Sequence, residues 1–412
     1  VSFTALKEFR AMTTLLAPSP VASTVPAGGW KIDAQRGQLI GAVSRQWQTR
    51  PDDQKFLSLA DLDAFLRDRS NRSRESTFEP SQIRIQASRN DPDRLALHLP
   101  SDEVALPTYW GFGRLAQLAG APAGYLRQLP ATLAAVNLQW GLADKNDHIQ
   151  VQTLTDAKGR FTELRAATGP DYGRIPDFRL VSAIRRIAGD GTGDTRWKTP
   201  GLIDWGSSTY NPFVDVTKET TTLYASDQDV FVFLVDDLTP IEIGKLPDGS
   251  PDVYFRGFYA YNSEVGAKTL GIATFFLRGV CANRNIWGAE EFREVKIRHT
   301  RHAMHRFTED VAPALAAYAN SSPNKFRRAI TTAKETIVAK TAEERLEFLQ
   351  RQKFTKPDAE AIIQSVLQEE GHPARSVFDF VQGITATARA LPHQDARIER
   401  ELRAKHLLDR LT

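Results

Sequence analysis

The stretch RGFYAYNSEVGAKTLGIATFFLRGVCANRNIWG, from Arg256 to Gly288, decides how the rest of the chain is read. It holds two apolar runs joined by the short polar connector SEVG. Runs so closely linked lie antiparallel, because a parallel pair needs a crossover of a dozen residues or more. Along the first run Arg256 and Phe258 share one face, and Tyr259 and Tyr261 share the other. The second run, AKTLGIATFFLRGVC, is apolar on both faces, which places it centrally in a sheet.

Two more hairpins follow the same logic. In HIQVQTLTDAKGRFTELRAAT, Ile149 and Val151 alternate with Gln150 and Gln152, and Asp156 to Gly159 turns the chain back. In TTTLYASDQDVFVFLVDD the turn is SDQD, and VFVFLV reads as a strand covered on both faces. QIRIQAS and RLALHLP are two shorter strands around RNDPD. Helical spacing appears in LSLADLDAFLRDR, where Leu59, Leu62, Phe65 and Leu66 share a face, and in DYGRIPDFRLVSAIRRI. The block YWGFGRLAQLAGAPAGYLRQLPATLAAVNLQWGLA breaks at Gly-Ala-Pro and Leu-Pro into three short helices. RDRSNRSRES, with four arginines, reads as a solvated loop. After Arg306 the chain is helical and strongly charged, and its last segment, DARIERELRAKHLLDRL, is expected to pack on a neighbouring subunit.

The fold class is therefore α+β: an antiparallel sheet of β-hairpins packed with helices, followed by a helical C-terminal region. The expected organisation is a flexible arm over residues 1–29, an α/β and helical block over 30–147, a hairpin-rich core over 148–306, and helices over 307–412. The chain has 412 residues, 41% of them hydrophobic, enough for a sizeable core. With 53 Lys and Arg against 50 Asp and Glu, no overall field favours a polyanion, so any nucleic-acid contact must be local. A single cysteine, Cys281, excludes an internal disulfide and suits a reducing cytoplasm. No apolar run approaches the ~20 residues that span a bilayer, and charges interrupt the N-terminal apolar segment, so neither membrane nor secretion is expected.

Chemistry-bearing candidates are few. Cys281 has no histidine nearby in sequence to activate it and reads as a small buried residue. GDGTGDT follows a helix and lacks the Lys-Ser/Thr of a phosphate-cradling loop. Asp236 and Asp237, considered with Glu242 or Asp227 for magnesium, point to opposite faces of a strand and read as a solvated strand end. REVKIRHTRHAMHRF is the densest basic run, and its His299, His302 and His305 recur at intervals of three without the carboxylates of a metallopeptidase. Charge and fork-shaped donors there suit phosphates, and neighbouring aromatics suit bases. The expected nucleic-acid-binding residues are Arg256, Tyr259, Tyr261, Lys268, Arg278, Arg284, Trp287, Lys296, Arg298 and Arg301. No catalytic residue, metal or cofactor is expected.

The succession WQTRPDDQKFLSLADL, WGFGRLAQLAGAPAGYLRQLP, DYGRIPD, then GFYAYNSEVGAKTLGIATFFLRGVCANRNIWG and RHT resembles the phage- and plasmid-borne family known as domain of unknown function 932, over about Trp47 to Arg306. The resemblance implies residence on a mobile element. More distantly it implies similarity to ring-forming single-strand annealing proteins, whose cores set β-hairpins against a helix. The resulting expectation is a non-catalytic protein that binds single-stranded DNA or DNA ends as a homo-oligomeric ring or filament. Two alternatives stand beside it. One is a magnesium-dependent nucleic-acid enzyme using Asp236, Asp237 and Glu264; the other is an inhibitor of a host defence protein.

Overall fold

A computed structural model describes residues 50–411, apart from positions 90, 92, 193–194, 200–202, 205–208, 211–215, 219–220, 246–248, 250, 279–283, 286–294, 390 and 392–393. Cys281 and Trp287 lie outside the described residues. In chain order the first strands and helix are β1 (Lys55–Phe56), α1 (Leu59–Asn71), β2 (Ser73–Phe78), β3 (Arg84–Ala87), β4 (Leu95–His98) and β5 (Val104–Pro107). Next come α2 (Tyr109–Leu118), α3 (Ala123–Leu126), α4 (Ala131–Leu142), the hairpin β6 (Ile149–Thr155) and β7 (Thr162–Thr168), and α5 (Asp177–Ala188). Short strands β8 (Trp197–Lys198), β9 (Ile203–Asp204), β10 (Thr209–Tyr210) and β11 (Leu223–Ala225) precede β12 (Val230–Lys245), β13 (Pro251–Asn262), β14 (Leu270–Arg278), β15 (Arg284–Asn285) and β16 (Val295–Ile297). The helical region is α6 (Ala303–Arg306), a π-turn at Phe307–Val311, α7 (Ala312–Asn320), α8 (Asn324–Glu335), α9 (Ala342–Arg351), α10 (Lys356–Glu370), α11 (Val377–Arg389) and α12 (Gln394–Leu411).

All three expected connectors turn antiparallel pairs: DAKG joins β6 to β7, SDQD joins β11 to β12, and SEVG joins β13 to β14. They serve two different sheets. The larger runs β1-β11-β12-β13-β14-β15, with β8 also on β12 and β16 also on β14, and its described pairs are antiparallel. The smaller runs β2-β6-β7-β5-β4-β3 and is mixed, because β5 pairs with β7 in parallel. The boundary expected at 147/148 cuts through this smaller sheet. The reason lies in β2, which pairs with β6 along its full length and is formed by the segment read as a solvated arginine loop. Its side chains are mostly exposed or half-buried, so composition resembled a loop while the backbone supplied an edge strand.

Alternation decides the packing of the larger sheet. Val230, Val232, Leu234, Phe258, Ala260, Leu270 and Ile272 face Leu59, Leu62 and Leu66 of α1, Leu180, Val181 and Ile184 of α5, and Leu315 and Tyr318 of α7. The opposite face collects Phe231, Phe233, Tyr259, Phe275 and the half-buried Tyr261. Both faces of VFVFLV are thus covered, as its continuous apolarity requires. Two glycines make room for aromatic rings on the cross-strand partner. Gly257 lies opposite Phe275 and Gly271 opposite Tyr261, and a Cβ on either would stand about 2 Å from ring atoms.

Register shifts in β12 separate Asp236, opposite Arg256, from Ile241, opposite Tyr254. The inserted residues include Pro240, which has no N–H to give a ladder and so belongs in a bulge. Beyond the bulge Ile241, Ile243, Tyr254 and Phe276 pack on the C-terminal helices through Phe326, Ile330, Val377 and Val381. Ala404, Leu407 and Leu408 of α12 are buried in the same cluster. The last segment therefore packs one of its faces within its own chain.

Candidate functional site

The NSEVG connector, read from the sequence as a hairpin turn, is buried: Asn262 and Ser263 are fully enclosed and Glu264 is 3% exposed. A buried connector must have its polar groups paired within the protein. Segments from elsewhere in the chain meet them. Tyr172 Oη donates to Ser263 O at 3.0 Å, Arg174 donates to Glu264 O, and Trp110 Nε1 donates to Val265 O at 2.9 Å. Ser263 Oγ donates to Gln228 O at 2.6 Å, tying this turn to the SDQD turn beside it.

Side chains complete a compact ionic cluster. Asn262 Nδ2 donates to Asp177 Oδ1 at 2.7 Å and to Ile175 O at 2.8 Å, while Arg69 Nη2 donates to Asp177 Oδ2 at 2.7 Å. Arg165 Nη1 donates to Glu264 Oε1, and its Nη2 donates to Asp227 O at 2.9 Å. Arg69 Nε stands 3.8 Å from Glu264. The Asp177 backbone N–H, in the first turn of α5, donates to Glu264 Oε2 at 3.1 Å, so Glu264 also satisfies the open end of that helix.

Arg165 reaches the cluster because of a bulge. Gln152 pairs with Ala166 and Thr153 with Leu164, leaving Arg165 as the extra residue of β7. The bulge turns a strand arginine out of the alternation and aims it at Glu264. Arg69 is the second arginine of the cluster. It belongs to the last turn of α1 and is 4% exposed, although it stands in the stretch read as a solvated loop. Asp177 had no sequence signal beyond lying at a helix start.

The two carboxylates titrate in opposite directions. Burial, followed by the charge of neighbouring Glu264, pushes Asp177 up to about 8 even though Arg69 opposes the shift. Burial also works against ionised Glu264, but Arg165 and Arg69 outweigh it and hold that carboxyl below its ordinary value. Between about pH 4 and pH 8 the folded chain retains an Asp177 proton that the unfolded chain has released, so stability declines as pH rises through that window. Glu264 acts the other way, losing its contribution as pH falls below its ordinary value of 4.5. In Asp177→Asn, an uncharged isostere, the decline of melting temperature from pH 5 to pH 8 should flatten. A wild-type melting temperature rising across that interval would show that another group dominates.

A second cluster adjoins. Asp229 binds Arg50 at 2.9 Å and Lys268 at 3.5 Å, and despite burial these cations keep it well below the usual carboxylate range. Asp236 is fully buried and paired with Arg196 at 2.8 Å and Arg256 at 3.6 Å, not solvated at a strand end. Of the carboxylates considered for magnesium, Asp236 and Glu264 are thus both engaged by arginines. They also lie roughly 20–25 Å apart along the hairpin, since Asp236 pairs opposite Arg256, eight residues before Glu264. No group of three or more His, Cys, Asp or Glu suited to a metal occurs among the described residues.

The basic run is not one helix. Lys296 lies on β16, at which the larger sheet ends beside β14, and α6 begins only at Ala303. Lys296 on the strand and Arg298 just after its end are both exposed, flanking buried Ile297. His299 is half-buried and stacks on Tyr172 with ring centroids 4.9 Å apart, whereas His302 and His305 are exposed. Gly173 N donates to His299 O, and the Gly173 carbonyl contacts His299 Nδ1 at 3.1 Å. Burial lowers the His299 pKa. A Cβ on Gly173 would stand 1.8 Å from Thr300 O, which explains why glycine occupies this position.

The ten residues expected to bind nucleic acid therefore divide. Lys296, Arg298 and Arg301 are exposed on one segment, and Arg301 is 74% exposed in an ion pair with Asp171. Lys268 is part-exposed beside Asp229. Arg256 is buried, donating to Ser321 O at 2.7 Å, and Tyr259 is buried between Phe231 and Tyr261. Arg278 and Arg284 belong to β14 and β15, and their side chains, like all of Trp287, lie outside the described residues. Among the described residues no helix is long and apolar enough to cross a membrane. Comparison with protein-family models, curated proteins and solved structures finds no match to this chain.

Proposed function

We propose that this chain is a non-catalytic nucleic-acid-binding protein that holds single-stranded DNA or DNA ends through phosphate contacts, acting as a homo-oligomer. The observation that carries the reading is the exposed cationic segment Lys296–Arg306 at the margin of the larger sheet. Lys296 and Arg298 are both exposed, and Arg298 makes no ion pair among the described residues. The Arg301–Asp171 pair is solvent-exposed on both sides, so it contributes ~0–1 kcal/mol and yields readily to a phosphate. Hydrogen bonds to Gly173 and the Tyr172 stack hold the segment in place, which limits the ordering cost of binding.

The proposed kinship with domain of unknown function 932 draws support from one feature of the fold. WGFG, DYGRIPD, NSEVG and RHT, four of the segments that carry the resemblance, meet at a single junction through Trp110, Tyr172, Arg174, Asp177, Glu264 and His299. That junction joins the two sheets and sets the position of the cationic segment.

A salt titration of binding to single-stranded DNA tests the reading. The wild type should bind at low salt, and Arg298→Ala/Arg301→Ala should flatten the dependence of log affinity on log salt by ~0.7 for each phosphate that the variant no longer neutralises. No wild-type binding at low salt, or an unchanged slope in a folded double variant, would refute it.

A further inference from the structure

Helix α9 ends in the turn Gln352, Lys353, Phe354. Lys353 is left-handed at φ 64°, its N–H donates to Gln350 O at 2.8 Å, and Phe354 N donates to Leu349 O at 3.1 Å. These two bonds satisfy the last carbonyls of the helix and fix the turn. Phe354 is buried there, and the Arg403 guanidinium of α12 lies over its ring at 3.7 Å. Gln352 anchors two cations. Arg403 Nη2 donates to its backbone carbonyl at 3.1 Å, and Arg410 Nη2 donates to its side-chain Oε1. His406 stands between those arginines on the same face of α12, at the i, i+3, i+7 spacing.

Together with Leu407 these residues line a cavity of about 210 Å³, and no carboxylate is among them. Arg403, His406 and Arg410 make no ion pair among the described residues. The nearby acids are engaged elsewhere, Asp358 by Arg400 at 2.7 Å and Asp409 by Lys405 at 3.6 Å, while Glu399 is exposed. Burial, then the charge of Arg400, lowers the Arg403 pKa although Asp358 and Glu399 oppose the shift. That guanidinium is short of counter-charge. The partial negative charge of a helix end accounts for Arg410 alone, in the last turn, because its pull fades within that turn.

We infer that this cavity binds one phosphate group, held by Arg403, His406 and Arg410. Gln352 occupies one N–H of each guanidinium and leaves the other fork donors to a ligand, and such forks match phosphate oxygens. The cavity is smaller than the ~300 Å³ at which pockets for whole organic ligands begin. It suits a single tetrahedral anion with a few waters of ~30 Å³ each. Helix α12 contacts β15, which shares the β14 edge with β16. A nucleic-acid backbone lying on Lys296–Arg306 is therefore one source of the group, and free phosphate is the other. The inference goes beyond the reading above and stands without it.

Isothermal titration calorimetry of the full chain with inorganic phosphate, at ionic strength held constant with sodium chloride, tests it. The wild type should take one phosphate per chain with a dissociation constant on the order of 1 mM. His406→Ala/Arg410→Ala changes two exposed side chains and spares the Phe354 stack, and it should weaken binding roughly tenfold or more. Arg298→Ala/Arg301→Ala should bind phosphate as the wild type does. Displacement of the phosphate by single-stranded DNA would assign the site to a nucleic-acid backbone, and persistence would assign it to free phosphate; either supports the site. No binding by the wild type at about tenfold above that constant overturns the inference, as does equal affinity in a folded His406→Ala/Arg410→Ala. Because the first titrations contain no DNA, failure here is distinct from failure of the salt titration.

Discussion

Glu264→Gln should lower the free energy of unfolding by about 3–5 kcal/mol. The size follows from what remains behind. Arg165 is 1% exposed and Arg69 4% exposed, and both face Glu264. A neutral amide leaves the pair with only Asp177 between them, while the Asp177 N–H loses a charged acceptor for a weaker one. Denaturant unfolding measures the loss. Replacing the ion pair as a unit, with Arg165→Met and Glu264→Leu together, should recover part of it, because an apolar pair leaves no uncompensated charge. A double variant as unstable as Glu264→Gln would mean that the cluster acts through the helix terminus and the SDQD turn more than through ion pairing.

Gly173→Ala is the second large effect, about 3 kcal/mol, and it arises from space alone. The added methyl meets a backbone carbonyl, Thr300 O, which cannot rotate away as a side chain would. To admit it, residues 299–300 must part from 172–173, breaking the mutual Gly173–His299 hydrogen bonds and the Tyr172 stack. The displaced segment carries Arg298 and Arg301, so the substitution should also weaken the proposed DNA binding although residue 173 contributes no charge. Thermal unfolding and a binding isotherm on one preparation check both effects. Stability and affinity both equal to wild type would show that the segment is not held at Gly173.

Local and long-range information contribute very differently to this molecule. The hairpins were legible from residue order, because alternation and short polar connectors are local signals. Pro357 near the start of α10 and left-handed Gly371 at its end mark a helix just as they do in the sequence. Leu59, Leu62 and Leu66 are buried as helical spacing requires, while Phe65, assigned to the same face, is 37% exposed at its edge.

What tertiary structure alone decided is where the charges go. Sequence shows arginine and glutamate as polar, and polar residues in turns and loops are ordinarily solvated. Arg69, Arg165, Asp177 and Glu264 are separated by up to 195 residues, and ion pairs among them join all four. Nothing local marks such a partnership. The bulge that aims Arg165 is likewise a property of the pairing of β6 with β7, invisible in either strand alone. The same limit explains Arg256 and Tyr259, whose composition suited a DNA surface but whose strand lies between two covered faces. Periodicity reports which side of an element is apolar. Whether a polar side meets water or an opposite charge is a long-range fact, set when two sheets and the first turn of α5 close around one connector.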